Sequence, residues 1–163
     1  MKRNGFSITF SVFAMVLILF SCNSIKPSDD TDAEKQLIEK SIRAGIGWAA
    51  DKDLDLLYSV IYNDSSFLEV HPGPKIVRGF TEFRKNEEFW MNPDFKAIRF
   101  EIWDLDINIS RSGDVAWWFC MLNDMNEWKG EPANWENTRW TGVLEKINGK
   151  WVIVQQHFSF ARE

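Results

Sequence analysis

From Ile98 to Ile109 the apolar residues keep a two-residue period but change parity once: Ile98, Phe100 and Ile102 are followed by Trp103, Leu105, Ile107 and Ile109. Alternate residues of a strand point to alternate faces, so a single phase slip calls for a β-bulge near Ile102 and Trp103 if one face is to stay apolar. A bulge bends its strand. A bent strand running from Phe95 to Ser110 predicts a curved sheet.

The neighbouring segments supply the rest of that sheet and a helical layer. Leu37, Ile38, Ile42, Ile46 and Ala49 recur at three- and four-residue spacing, which predicts an amphipathic helix capped by Thr31 or Asp32. Leu54, Leu57, Tyr58 and Ile61 predict a second, short helix. Two short strands, residues 66–70 and 75–77, flank the loop His71-Pro72-Gly73-Pro74. Helical spacing returns over residues 79–90 and stops at Asn92-Pro93. Val115 to Leu122 is apolar without alternation and reads as a strand covered on both faces, followed by a polar loop over residues 123–134. Asn148-Gly149 joins a last hairpin, residues 137–146 and 150–161.

The register of that hairpin decides which side chains share a face. A two-residue turn sets Trp140 opposite His157; a three-residue turn with Gly149 as a left-handed bulge sets Arg139 opposite His157 and is preferred. It gathers Arg139, Thr141, Gln155, His157 and Ser159 with Val143 and Ile153, leaving Trp140, Leu144, Val152, Val154, Phe158 and Phe160 on the other face. Both faces are then too apolar for water, so one packs on the helices and the other needs a partner, expected to be a second copy of the chain.

Ahead of the domain, Lys2 and Arg3 precede an apolar run from Phe6 to Phe20, shorter than the ~20 residues of a permanent membrane helix. Leu19-Phe20-Ser21-Cys22 resembles a bacterial lipobox, which implies a signal peptide over residues 1–21 and acylation of Cys22. The polar stretch to residue 32 then reads as a tether, with one globular domain over residues 33–163 on the cell envelope. The formal charge of −5 without a basic block argues against nucleic acid as a partner. Two cysteines and two histidines cannot make a disulfide framework or a His/Cys zinc site, and no metal or cofactor is expected.

Trp48 late in the first helix, Asp53-Leu54-Asp55 opening the second, Gly79 before the third, and Arg139-x-Thr141 ahead of Trp151 to Ser159 carry a family resemblance. Over residues 33–161 the chain resembles the SnoaL-like branch of the nuclear transport factor 2-like superfamily. The association domain of calcium/calmodulin-dependent kinase II is similar from Thr141 to His157, although Gly142 stands where that domain has arginine. The resemblance implies an α+β, cystatin-like cone: a curved, mostly antiparallel sheet wrapped around three N-terminal helices, with a pocket at the wide end. Members include dehydratases, isomerases and non-catalytic binding or assembly modules, so fold alone leaves function open.

The residues were weighed for chemistry on that scaffold. Asp104 and Asp106 alternate against Trp103, Leu105 and Ile107 and read as solvated strand charges. Glu69 and His71 would form a dyad only if the proline loop bent the chain between them. His157 is the candidate base or ligand-holding imidazole, with Arg139 as its oxyanion partner and Thr141 and Gln155 beside it. Trp48, Tyr58, Trp90 and Trp103, with Trp117, are candidate walls for a flat ligand. Cys120 reads as a buried small hydrophobe. The expected function is a non-catalytic, envelope-anchored binding protein for a small apolar or aromatic molecule. An isomerase or dehydratase using His157 and Arg139 is the second reading, and a protein-interaction module with a vestigial pocket the third.

Overall fold

The computed structural model describes residues 28–161, so the expectations for the signal peptide, Cys22 and most of the tether lie outside the described residues. Helix α1 (Ser28–Gly47) runs into a 3-10 turn (Trp48–Ala50) and α2 (Leu54–Val60), whose first turn is capped by the Asp53 carboxylate accepting from the Leu56 amide at 2.9 Å. Helix α1 begins ahead of the predicted cap and takes in the end of the expected tether. Strands β1 (Leu68–Val70) and β2 (Ile76–Arg78) follow. The expected single third helix is two, α3 (Phe80–Arg84) and α4 (Glu87–Trp90). They part at Asn86, whose side-chain amide donates to the Phe83 carbonyl at 2.9 Å and competes with the helix ladder.

Strands β3 (Phe95–Ile109), β4 (Val115–Trp128), β5 (Glu131–Pro132), β6 (Trp135–Ile147) and β7 (Lys150–Phe160) complete the chain. The sheet order is β2-β1-β7-β6-β4-β3, with β5 on β4; β1 runs parallel to β7 and the other pairs are antiparallel. The fold is α+β, a strongly curled sheet around the helices, as expected. Its bend lies where the parity changes: the β3–β4 register shifts between Trp103 and Asp106, and Asp104 takes a φ of 51°. Trp103 ends on the outer face opposite Met121, while Ile107 is buried inside opposite Trp118.

Two expectations are corrected. Residues 123–128 are strand, not loop: β4 continues to Trp128, where Lys129 and Gly130 turn it at positive φ (55° and 83°) into β5. The last hairpin turns on two residues, Ile147 facing Lys150, with Asn148 and Gly149 both at positive φ. The extra residue falls further along, between Leu144–Ile153 and Val143–Gln155, so Thr141 faces His157, neither Trp140 nor Arg139. Ile153 therefore joins Trp140, Leu144 and Phe158 on the buried face, and Val152 leaves it.

That buried face packs on the helices. Ile38 and Ile42 of α1 and Leu57 of α2 meet Trp140, Leu144 and Ile153, all at 0–1% exposure. Helix α1 is pinned at its start by Glu34, which accepts from Lys146 Nζ at 2.7 Å and Trp151 Nε1 at 2.6 Å; these donors hold its carboxyl below the usual range. Among the described residues nothing covers the outer face. Trp117 is 48% and Phe119 38% exposed, so β4 is covered on one face rather than two.

Candidate active site

A cavity of about 580 Å³ opens between the helices and the inner face of the sheet. Its walls are aromatic: Trp48 and Trp90, edge to face at 5.1 Å, stand on the helical side, and Trp135 and Phe158, 5.3 Å apart, on the sheet. Phe89, 46% exposed, and Phe95 line it as well.

Three strands aim polar groups into this apolar space. Strand β1 supplies Glu69, and His71, the first residue past its end, turns into the cavity beside it. Parallel pairing sets Glu69 beside Gln156 of β7. The Glu69 carboxylate, 4% exposed, accepts from Gln156 Nε2 at 2.5 Å and contacts His71 Nε2 at 2.6 Å. Gln156 Oε1 in turn accepts from Trp140 Nε1 at 3.3 Å. A chain of donors thus runs from the core tryptophan to the imidazole and fixes the carboxylate between two partners. The imidazole stands edge-on to Trp135, centroids 5.6 Å apart.

Strand β4 supplies Asp124 and Asn126, an i, i+2 pair on the inner face. Burial pushes the Asp124 carboxyl above the usual range, partly offset by the Asn126 amide. That amide donates to the Asp124 carbonyl at 3.3 Å. Near the entrance, Lys75 Nζ donates to Asn86 Oδ1 at 2.5 Å and links the β1–β2 loop to the α3–α4 junction. Among the described residues no three His, Cys, Asp or Glu side chains cluster to hold a metal ion.

The Asp124 shift has a consequence for stability. In the unfolded chain the group ionises at its ordinary value of 3.8, and in the folded chain at higher pH. Its contribution is therefore fully present below that ordinary value and is lost as pH rises through the folded one. Asp124→Asn, which cannot ionise, is expected to melt above the parent at pH 7, with the gap closing towards pH 3.5. Thermal melts of both proteins across that range check the sign.

The sequence candidates divide. Trp48 and Trp90 line the cavity. Tyr58 does not: its hydroxyl donates to Glu87 at 2.5 Å, and burial together with that carboxylate pushes its pKa up to about 12. Arg139, Thr141, Gln155 and His157 do share a face, but it is the outer one, so they are separated from the cavity by the sheet. Trp103 is outside as well, and Asp104 and Asp106 are exposed. Cys120 is fully buried, which raises its thiol to about 12.

A family model described as the SnoaL-like domain matches residues 38–163. The chain belongs to the SnoaL-like family. Solved structures share its fold at low identity. A candidate dehydratase of the NTF2-like family from Streptomyces avermitilis superposes with a TM-score of 0.70 at 18% identity, covering 82% of this chain and 99% of that one. An NTF2-like superfamily protein from Salmonella enterica serovar Typhimurium gives 0.66 at 20% identity, covering 82% and 94%. A candidate scytalone dehydratase from Novosphingobium aromaticivorans gives 0.67 at 11% identity, covering 82% and 88%. The search of curated proteins returned no match. Within the SnoaL-like cone of this chain, Glu69, His71, Asp124, Asn126 and Gln156, with Lys75 and Asn86, are polar residues of the cavity outside the sequence candidates.

Proposed function

We propose that this SnoaL-like domain is an enzyme of the isomerase or dehydratase class, moving a proton on a small, flat, largely apolar molecule with His71 as its base. The observation that carries this reading is the Glu69–His71 pair, set into the wall of an aromatic cavity. An acid/base pair facing the cavity favours catalysis over the non-catalytic binding expected from sequence. With Nε2–H given to Glu69, the other ring nitrogen keeps a lone pair for a substrate proton, and the carboxylate stabilises the imidazolium that forms. Asp124, whose protonated form burial favours, faces the same cavity and is the group there to protonate a carbonyl or departing hydroxyl oxygen. Two fold relatives are described as candidate dehydratases, which is in keeping with such chemistry. Arg139, on the other side of the sheet, has no part in it.

The test is exchange and elimination with a panel of β-hydroxy aryl ketones in D₂O, followed by NMR. Deuterium entering next to the carbonyl, or loss of water to the enone, faster than in buffer is the expected result. Ketones that bind but exchange at the buffer rate would return the protein to the non-catalytic reading.

The exposed Trp117 and Phe119 support a second part of the proposal, a homodimer through the outer sheet face, on a chain tethered to the envelope through Cys22. Sedimentation of the parent should give the dimer mass. Trp117→Glu with Phe119→Glu should give a monomer of unchanged circular dichroism.

A further inference from the structure

The β4 end of the cavity holds an unmet hydrogen-bond acceptor. Asn126 is 6% exposed, lines the cavity, and its Oδ1 has no partner, although its Nδ2 is occupied by the Asp124 carbonyl and its backbone N–H by Asn134 Oδ1 at 3.0 Å. The β4–β5 turn holds the residue in place, with Ala133 N–H donating to the Asn126 carbonyl at 2.8 Å. Swinging the side chain out to water would break the Nδ2 bond to the Asp124 carbonyl. A buried carbonyl oxygen without a donor is costly, so a donor brought by the ligand gains what the free site lacks.

Asp124 lies two residues earlier on the same face and within the same cavity. We propose that Asn126 Oδ1 is the acceptor station of a subsite for a ligand hydroxyl group, whose hydrogen it takes, with the Asp124 carboxyl group beside it. Burial favours the neutral form of that carboxyl, which the Asn126 amide opposes. Only a group with a hydrogen to give meets Oδ1, and an ether, a ketone or a hydrocarbon leaves it unmet. The inference rests on the reading of the cavity as a ligand site and narrows it to hydroxylated, otherwise apolar molecules. In the proton-transfer reading, this hydroxyl is the group that departs as water.

The experiment uses three probes of similar size: 4-propylphenol, 1-methoxy-4-propylbenzene and 1-methyl-4-propylbenzene. Binding to the full chain is read from tryptophan fluorescence, since Trp48, Trp90 and Trp135 line the cavity. The phenol is the most water-loving of the three, so transfer into an apolar space alone ranks it last. The expected result is the reverse, with the phenol bound about tenfold or more tighter than either of the others, the size of effect of a satisfied buried hydrogen bond. In Asn126→Leu the preference should vanish while 1-methyl-4-propylbenzene still binds, and that retained binding reports an intact cavity. If Asn126→Leu does not fold, Asp124→Leu and the ranking on the parent decide. Equal binding of all three probes, a methoxy compound as tight as the phenol, or a preference that survives Asn126→Leu overturns the subsite and leaves the cavity as a binding site. Failure of all three to bind the parent overturns the aromatic-cavity reading itself and the subsite with it.

Discussion

Gly142→Ala is expected to lower the melting temperature of the domain sharply. Gly142 sits on the inner face of β6 between Trp140 and Leu144, paired with Trp118 on one side and Gln156 on the other. A Cβ there would lie 2.1 Å from Trp118 Cη2 and 2.4 Å from the Gln155 carbonyl oxygen. Neither neighbour can give. The Trp118 ring is 2% exposed and meets Trp140 edge to face at 5.5 Å, and the Gln155 carbonyl is sheet backbone. Overpacking a core by a methyl group ordinarily costs about 1–3 kcal/mol, and a clash against two rigid partners belongs at or above the top of that range. Against a total stability of about 5–15 kcal/mol, that is a large part of the margin that keeps the domain folded. Gly73→Ala is the matched control, because nothing lies within 4 Å of its added Cβ. Thermal unfolding of both variants is the measurement. A Gly142→Ala melting temperature within about 2 °C of the parent would sink the argument, since even ~1 kcal/mol moves a domain of this size by about that much or more.

The same glycine shows what the sequence carried and what it did not. Its neighbours Trp140, Leu144 and Phe158 were assigned to one face from alternation alone, and they share the buried face. The bend in β3 was legible because its parity change involves large apolar residues, whose burial leaves no choice of face. The bulge in β7 was not, because Val152, Ile153 and Val154 are all β-branched and apolar, and a slip among them leaves the pattern unchanged. The turn was therefore given the extra residue that the strand holds.

The cavity was misread for a related reason. Leu122, Asp124 and Asn126 continue the inward parity of Ala116, Trp118 and Cys120, but polarity was taken as the end of the strand. Functional sites are where local polarity and burial disagree, so a pattern rule applied without the parity fails there. Glu69 and His71 are two residues apart across the end of β1, a spacing that keeps them on one side of the chain, so reading them as opposed neighbours hides the dyad.

If the dyad works as proposed, His71→Ala should lower kcat at least about a hundredfold on any ketone the parent turns over, within the usual reach of a positioned general base. Binding should hold, since the imidazole covers only part of an aromatic wall: the Kd for 1-methyl-4-propylbenzene is expected within about threefold of the parent, as apolar area on Trp48, Trp90 and Phe158 is unchanged. That division between kcat and Kd separates a lost base from a collapsed cavity, and added imidazole should restore part of the rate. Glu69→Gln tests the relay behind it. The donors run one way, Trp140 N–H to Gln156 and Gln156 N–H to Glu69, so a carboxylate can meet donors on both oxygens where an amide cannot. With glutamine at 69, an N–H faces either Gln156 or His71, and relieving it turns Gln156 away from Trp140 or releases the imidazole. Glu69→Gln should therefore lose rate less than His71→Ala, and added imidazole should not rescue it, because the ring is present but no longer held. Turnover by His71→Ala within about threefold of the parent would remove the imidazole from the chemistry and leave Glu69 and Asp124 as the carboxyl groups of the cavity that could move the proton.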